Sequence, residues 1–356
     1  MVNDKKLNIA FLGCGRVADH YLNLIATEVL NGINLIACCD LDSDKTAKFV
    51  EQTGALAYGS YEEMLKNEDI DLIAVLTESG NHFKHAKQGL MAGKHVLVEK
   101  PVSMIPEQAN ELQSIADNSS LMCAAVFQNR FNPAILHLKK AIDKGRFGKI
   151  ITASIRLRWC RYQEYYEDGW HGTWAMDGGV SNQQAIHHID ALNWLNGPVE
   201  KVTAFSTRRM NTLEAEDTLV ASLIFNNGSL GTIEVTTAAR PEDFEASLSI
   251  VGERGMAIIG GVALNELQQW EFINKDPDDD LATERFSQAV PNGYGLGHIP
   301  LLNEISNSLK SNSIIPPLNA LEGAKAVELV HALYASIELN KTIELDKKIR
   351  SRQLGK

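Results

Sequence analysis

An α/β domain built on a doubly wound parallel sheet, followed by an α+β domain with a large, mostly antiparallel open sheet, is the fold class that three observations predict. Short apolar runs alternate with helical patterns from residue 7 to about residue 127, longer strands joined by hairpins take over after about residue 145, and a glycine loop closes the first strand. Runs that are apolar throughout describe strands covered on both faces, as in a parallel sheet, whereas hairpins build antiparallel ones.

The first strands are read at LNIAFLG, NLIACCD, DLIAVLT, HVLVEK and LMCAAVF, with helices over 16–30, 43–53, 82–92 and 106–117 between them. After NRFNP (129–133) a helix runs to about Lys144 and stops at Gly145. KIITASIRLRW (149–159) and KVTAFSTRR (201–209) are long strands, and the stretches 218–237 and 246–261 carry NNG and GERG turn signals at their midpoints. One helix, 180–196, interrupts this half and has Gly197-Pro198 as its stop; a last one spans about 320–339. A chain of 356 residues exceeds what one core serves, so two domains are expected, 1–125 and 126–356.

The totals exclude several function classes. Against 34 Lys+Arg stand 45 Asp+Glu, a net charge of −11, and no basic run offsets it. Nucleic acid and anionic membrane surfaces are therefore not the expected partners; a small molecule is. Five cysteines form no CxxC pair and read as small core residues in a reducing compartment. No apolar stretch reaches the length of a membrane span, and the N-terminal one ends in a glycine turn instead of a cleavage site, so the expected compartment is the cytoplasm. No Cys/His cluster has the spacing of metal ligands, so no metal is expected.

GCGRVA, residues 13–18, follows the first strand and opens the first helix. Gly13 permits the tight turn, Gly15 lets a pyrophosphate approach the backbone at the helix N-terminus, and Ala18 takes the small position where helix meets strand. Asp40 ends the second strand and can accept both ribose hydroxyls of an adenosine. A carboxylate there repels a 2′-phosphate, so NAD is favoured over NADP, although Lys45 lies close by. This first domain is a Rossmann dinucleotide-binding domain.

Glu99, Lys100 and Pro101 end the strand HVLV. Ligands of open α/β sheets bind outside the carboxyl ends of the strands, and Pro101 stops the strand and fixes the direction of Lys100. On the helix 180–196, Gln183, His187 and Asp190 share a face by their spacing of four and three, while His188 points elsewhere. In SIRLRWCRYQEYYEDGWHGTW (154–174), Arg156 and Arg158 share one strand face, with Arg161, Tyr165, Tyr166, Trp170 and Trp174 just beyond. Arginines suit a diphosphate or carboxylate, and aromatic rings suit a base or sugar face.

Taken together, GCGRVA, Asp40, TESGNH (77–82), the EKP triplet, FQNRFNP and QQAIHHID resemble the Gfo/Idh/MocA oxidoreductases over nearly the whole chain. The resemblance implies NAD(P)-dependent oxidation of a hydroxyl on a sugar, inositol or sugar nucleotide, by a homodimer or homotetramer. It implies a cofactor set of Gly13, Gly15, Arg16, Val17, Asp40, Thr77, Ser79, His82, Glu99, Gln128 and Trp170, and a substrate set of Lys100, Arg158, Arg161, Tyr166, Gln183 and His187. Where this family usually presents an acid, the chain has Gln183, and an amide cannot take a proton. Proton transfer then falls to His187 or Lys100, with Gln183 orienting the substrate and Asp190 either supporting these residues or simply structural.

Trp159, Arg161, Tyr165, Tyr166 and the stretch Trp170 to Trp174 are similar to the UDP-N-acetyl-2-amino-2-deoxy-D-glucuronate 3-dehydrogenases of the family, as are EDT (216–218), GGVALNELQQWEF (260–272) and GYGLGH (293–298). That subgroup oxidises a 3-hydroxyl in lipopolysaccharide sugar biosynthesis; His171 stands where an arginine is common there. The alternatives are a dehydrogenase of a free sugar or inositol and a non-catalytic NAD-binding regulator.

Overall fold

The computed structural model describes residues 6–356 apart from residues 28 and 31. Strand β1 (Leu7–Leu12) runs through the glycine turn into α1 (Arg16–Ala26). There follow β2 (Ile33–Cys39), α2 (Ser43–Thr53), β3 (Leu56–Tyr58), α3 (Tyr61–Leu65), β4 (Leu72–Val75), α4 (His82–Met91), β5 (His95–Val98), α5 (Pro106–Ser119) and β6 (Cys123–Ala125). The six strands pair in parallel in the order β3-β2-β1-β4-β5-β6. Strand β4 is buried at every residue, and β5 at all but His95, which is why these runs are apolar without alternation. Strand order reverses at β1 and β4, so the crevice that suits a ligand opens where the glycine loop and TESGNH stand, with EKP at the end of the adjoining β5.

The chain continues through α6 (Pro133–Asp143), β7 (Ile150–Arg158), α7 (Val180–Gln183), α8 (Ile186–Asn196), β8 (Val199–Thr207), β9 (Thr218–Phe225) and β10 (Leu230–Thr236). Then come β11 (Glu245–Gly252), β12 (Gly255–Gly260), β13 (Glu266–Phe272), α9 (Ala282–Phe286), α10 (His298–Lys310), α11 (Ala320–Leu339) and β14 (Ile343–Glu344). The second sheet has the order β13-β12-β11-β7-β10-β9-β8-β14. Its pairs are antiparallel except β7 with β10, which run in parallel. Along β7, Ala153, Ile155 and Leu157 are buried on the face against which α8 packs. The expected fold class, a doubly wound sheet followed by a mostly antiparallel one, is therefore the observed one.

Two compact units result. One comprises the chain up to Val126 with His298–Ala324, the other Phe127–Gly297 with Lys325–Lys356. The return of residues 298–324 to the first unit is fastened by the Ala125 amide, which donates to the Leu318 carbonyl at 2.9 Å, and by Ser306, whose hydroxyl donates to the Gly32 carbonyl at 3.3 Å. Among the described residues no helix is long and apolar enough to cross a membrane. Cys14, Cys38, Cys39 and Cys123 are buried thiols, and Cys160 is part-buried.

The helix expected over 180–196 is broken. α7 ends at Gln183 and α8 begins at Ile186, and across the break the Ala185 amide reaches five residues back to the Val180 carbonyl at 2.8 Å. The ladder changes register there, so spacing along one continuous helix no longer decides which side chains share a face.

Candidate active site

In the first unit, the site begins at the glycine loop. Gly13 has φ +93°, and a Cβ there would lie 2.8 Å from the Leu76 backbone, so only glycine fits. Gly15 has ordinary dihedrals, and a Cβ there would meet nothing within 4 Å. Helix α1 has no side-chain cap and begins directly after this open glycine, an arrangement that fits the pyrophosphate of a dinucleotide. The Asp40 carboxylate is already oriented: Oδ2 accepts from the Cys14 amide at 2.8 Å and Oδ1 from the Asp42 amide at 2.9 Å. Arg16 is exposed and Val17 part-buried beside it.

The two glycines are expected to respond differently to the same methyl group. Gly15→Ala should leave the melting temperature unchanged while weakening NADH binding by about tenfold or more, because the methyl occupies the ligand's space. Gly13→Ala should lose binding and in addition about 1–3 kcal/mol of stability, from the positive φ and the clash with Leu76. Fluorescence titration of NADH alongside thermal melts separates the two.

Glu99 answers why an acid ends a buried strand. Its carboxylate is 6% exposed, accepts from the Tyr21 hydroxyl at 2.8 Å and from the Lys100 amide at 3.0 Å, and lies 3.6 Å from His298 Nε2. Burial alone would raise its pKa, but the His298 contact, the Lys100 charge and the Tyr21 hydrogen bond hold it at about 2. Glu99 thus joins the EKP turn to α1 and α10, and its carboxylate has these three protein partners. Lys100 itself is part-exposed, and the Lys100–Pro101 peptide is cis. Burial, then the charge of His298, lowers the pKa of the neighbouring His20 to about 4.

His82 is buried, with Nδ1 2.7 Å from the Pro101 carbonyl and Nε2 2.9 Å from the Thr77 carbonyl. Both ring nitrogens face backbone oxygens, so the residue braces the TESGNH turn against the EKP turn. Thr77 Oγ1 contacts His85 Nδ1 at 3.0 Å, and Ser79 is buried in the same turn. His82 and Glu99, both expected to contact the cofactor, thus also brace these turns.

In the second unit, α7 and α8 carry Gln183 and His187. From 177 to 192 every residue is buried except His187, whose ring meets Phe127 edge-on at 5.8 Å. Gln183 is 8% exposed. Asp190 turns into the core, where its carboxylate takes two hydrogen bonds from Arg130, from Nε at 2.7 Å and from Nη2 at 2.6 Å. Gln128 is buried just ahead of this arginine on the turn 128–131.

The aromatic stretch after β7 lies at one end of the sheet. Tyr166 contacts Thr237 Oγ1 at 2.8 Å, Gln184 Nε2 donates to the Tyr165 hydroxyl at 3.3 Å, and Arg161, whose guanidinium lies over the Trp159 ring, pairs through Nη1 with Asp243 at 3.0 Å. His171 is buried between the rings of Trp170 and Tyr165 and pairs through Nδ1 with Asp168. Arg158 is placed differently from the substrate contact expected of it. Its side chain leaves β7 on the face opposite Ile155 and Leu157, pairing with Glu234 at 2.6 Å and Glu245 at 3.1 Å. That outer face also holds a cavity of about 530 Å³, lined in part by Arg156, Trp159 and Glu245, which includes neither Gln183 nor His187.

Sequence reasoning gave no individual role to Tyr21, Tyr334, Arg130, Glu216 or His298, although the last three lie within FQNRFNP, EDT and GYGLGH. His188 is also informative: it is 1% exposed, both ring nitrogens lack a hydrogen-bond partner, and burial lowers its pKa to about 4. His188→Leu is expected to stabilise the protein by about 1–3 kcal/mol at neutral pH, because an unpaired buried polar group is removed. The advantage should widen as pH falls from 6.5 to 4, since the unfolded chain takes up a proton there that the folded imidazole refuses; the increment at pH 4 is of order 3 kcal/mol. Glu216, raised to about 7, works in the opposite sense between pH 4.5 and 7, so the difference between variant and wild-type melts is the quantity to follow.

Among the described residues no group of three or more His, Cys, Asp or Glu could hold a metal ion. Comparison with known proteins agrees with the dinucleotide geometry. Residues 7–127 match the oxidoreductase family's NAD-binding Rossmann fold, and residues 139–345 match its C-terminal alpha/beta domain. The chain is similar to the WlbA dehydrogenase of Chromobacterium violaceum in complex with NADH and UDP-GlcNAcA, at 34% identity and a TM-score of 0.89, covering 96% of this chain and 97% of that one. It is equally similar to the WlbA dehydrogenase of Bordetella pertussis in complex with the same two ligands, at 34% identity and a TM-score of 0.89, over 97% and 99% of the two chains. It is 26% identical to the D-glucoside 3-dehydrogenase of Escherichia coli over 95% of this chain and 97% of that protein. The chain is an NAD-binding oxidoreductase and belongs to the Gfo/Idh/MocA family.

Proposed function

We propose that the protein is an NAD-dependent dehydrogenase of the 3-hydroxyl of a UDP-linked, N-acetylated hexuronate, acting in surface-polysaccharide sugar biosynthesis. What carries the substrate class is the likeness, across nearly the whole chain, to two dehydrogenases whose structures hold NADH and UDP-GlcNAcA. Bound NAD supplies the hydride acceptor. His187, the single part-exposed residue of its segment, takes the hydroxyl proton, and the Lys100 ammonium stabilises the developing alkoxide. Gln183 cannot accept that proton and orients the sugar through its amide. Arg161 and Tyr166 contribute contacts to the nucleotide part, and Arg158, engaged with two carboxylates on the outer face, is left out of that set. The first unit holds the dinucleotide; the second, Phe127–Gly297 with Lys325–Lys356, holds the sugar and associates copies of the chain as a homodimer or homotetramer.

A second reading, oxidation of a free glycoside, is favoured by the E. coli D-glucoside 3-dehydrogenase and by the engagement of Arg158, which removes one arginine from diphosphate recognition. Calorimetry on NAD-loaded protein distinguishes the two. UDP-GlcNAcA and UDP should compete for one site, and methyl glucoside and myo-inositol should not bind it. Binding of methyl glucoside without any competition from UDP would favour the second reading.

A further inference from the structure

Helix α7 is a single turn of four residues, too short to hold itself, and its hydrogen-bond ladder becomes irregular at Ala185, two residues after Gln183. Its first amides have to be satisfied from outside. The Val180 amide donates to the Glu216 carbonyl at 3.1 Å, and the Ser181 amide donates to Glu216 Oε1 at 3.0 Å. The same oxygen accepts from the Tyr334 hydroxyl at 3.0 Å, and that hydroxyl in turn accepts from the Gly179 amide at 3.0 Å. Glu216 is 3% exposed, and a Cβ on Gly179 would lie 2.2 Å from its Oε2. One buried side chain, with its own carbonyl and a tyrosine of α11, therefore fastens three consecutive residues, 179 to 181, immediately ahead of Gln183.

We propose that Glu216 is a positioning residue: with Tyr334 it fixes the turn Gly179–Gln183 and so aims the Gln183 amide at the substrate. The inference rests on the function proposed above, in which Gln183 orients the sugar. A carboxylate with this place is tied to catalysis through geometry, since a misplacement of about 1 Å in a positioned group costs about 10²-fold in rate. Burial raises the Glu216 pKa to about 7 against the hydrogen bonds of Ser181 and Tyr334, so the acid is held in a site that favours its neutral form. Retaining an acid here, where it is partly destabilised, fits a demand for accurate placement of the turn better than one for stability alone.

The test compares wild type with Glu216→Gln, Glu216→Ala, Tyr334→Phe and Gly179→Ala in steady-state oxidation of UDP-GlcNAcA, with NADH affinity and melting temperature measured on each. Glu216→Ala and Gly179→Ala should lower kcat by about 10²-fold with NADH affinity unchanged. Glu216→Gln, which keeps the oxygen that accepts from Ser181 and Tyr334, should recover to within a few-fold of wild type, and Tyr334→Phe should fall between. If the alanine variants do not fold, the Gln and Phe variants decide by the same order of kcat. Folded variants with wild-type kcat, or a loss confined to melting temperature, would overturn the positioning role while leaving the proposed function intact. A wild type that turns over no UDP-GlcNAcA overturns both.

Discussion

Lys100→Ala is expected to lower kcat by about 10²–10⁴-fold while NADH affinity and melting temperature stay close to wild type. The division follows from the EKP turn. The Lys100 backbone amide donates to Glu99 Oε2, and Glu99 fastens the turn through Tyr21 and His298. Lys100→Ala therefore leaves these hydrogen bonds in place and removes the ammonium. Lys100→Arg should not restore the rate: a planar guanidinium is larger, fixed in its fork geometry and unable to deliver a point charge to a single alkoxide oxygen. Stopped-flow absorbance at 340 nm under single-turnover conditions checks the prediction. A Lys100→Ala rate within threefold of wild type would remove the lysine from the chemistry.

The largest loss of stability is expected on breaking the pair Arg130–Asp190. Both side chains are buried, 9% and 2% exposed, joined by two short hydrogen bonds, and the guanidinium also lies 5.2 Å over the Trp194 ring. Asp190→Ala strands a buried cation, which costs about 3–5 kcal/mol. Replacing both members by apolar residues of similar size, Arg130→Met with Asp190→Leu, should recover most of it, because the desolvation of two charges disappears with their attraction. The half-exposed Arg156–Glu234 pair on the outer sheet face should contribute less than about 1 kcal/mol when cut in the same way. Urea unfolding of the single and double variants measures all three; equal losses at the two sites would contradict the argument from burial.

The first domain was legible because its signals are local. Continuous apolar runs such as LIAV, a glycine pattern between a strand and a helix, and an acid at the end of β2 each imply their surroundings without reference to distant residues. The second-domain strands were legible from their turns. What was not legible depends on partners far apart in the chain. Tyr21 and Glu99 are separated by 78 positions and Glu216 and Tyr334 by 118, and no periodicity announces such pairs. The return of 298–324 to the first unit is likewise set by tertiary hydrogen bonds such as Ala125 to Leu318.

Two misreadings have nearer causes. Gln183 was placed on the face of His187 and Asp190 by counting along an unbroken helix, and the break at Gln184–Ala185 removes the basis for that count. Arg158 was read correctly as sharing a face with Arg156, but alternation also states which face. Ile155 and Leu157, before and between the arginines, take the side covered by α8, so the arginines take the other.

Hydride transfer from carbon 3 is the central claim, and isotopic labelling tests it most directly. Wild-type protein is mixed with NAD and UDP-GlcNAcA carrying deuterium at C3 of the sugar, and the nicotinamide and sugar products are analysed by mass spectrometry. The account predicts deuterated NADH and a 3-keto sugar nucleotide that has lost the label, formed together and far more slowly with Lys100→Ala. Unlabelled NADH with the deuterium retained on the sugar would place oxidation at another carbon, and no NADH or keto product from a protein that binds NAD would contradict the account altogether.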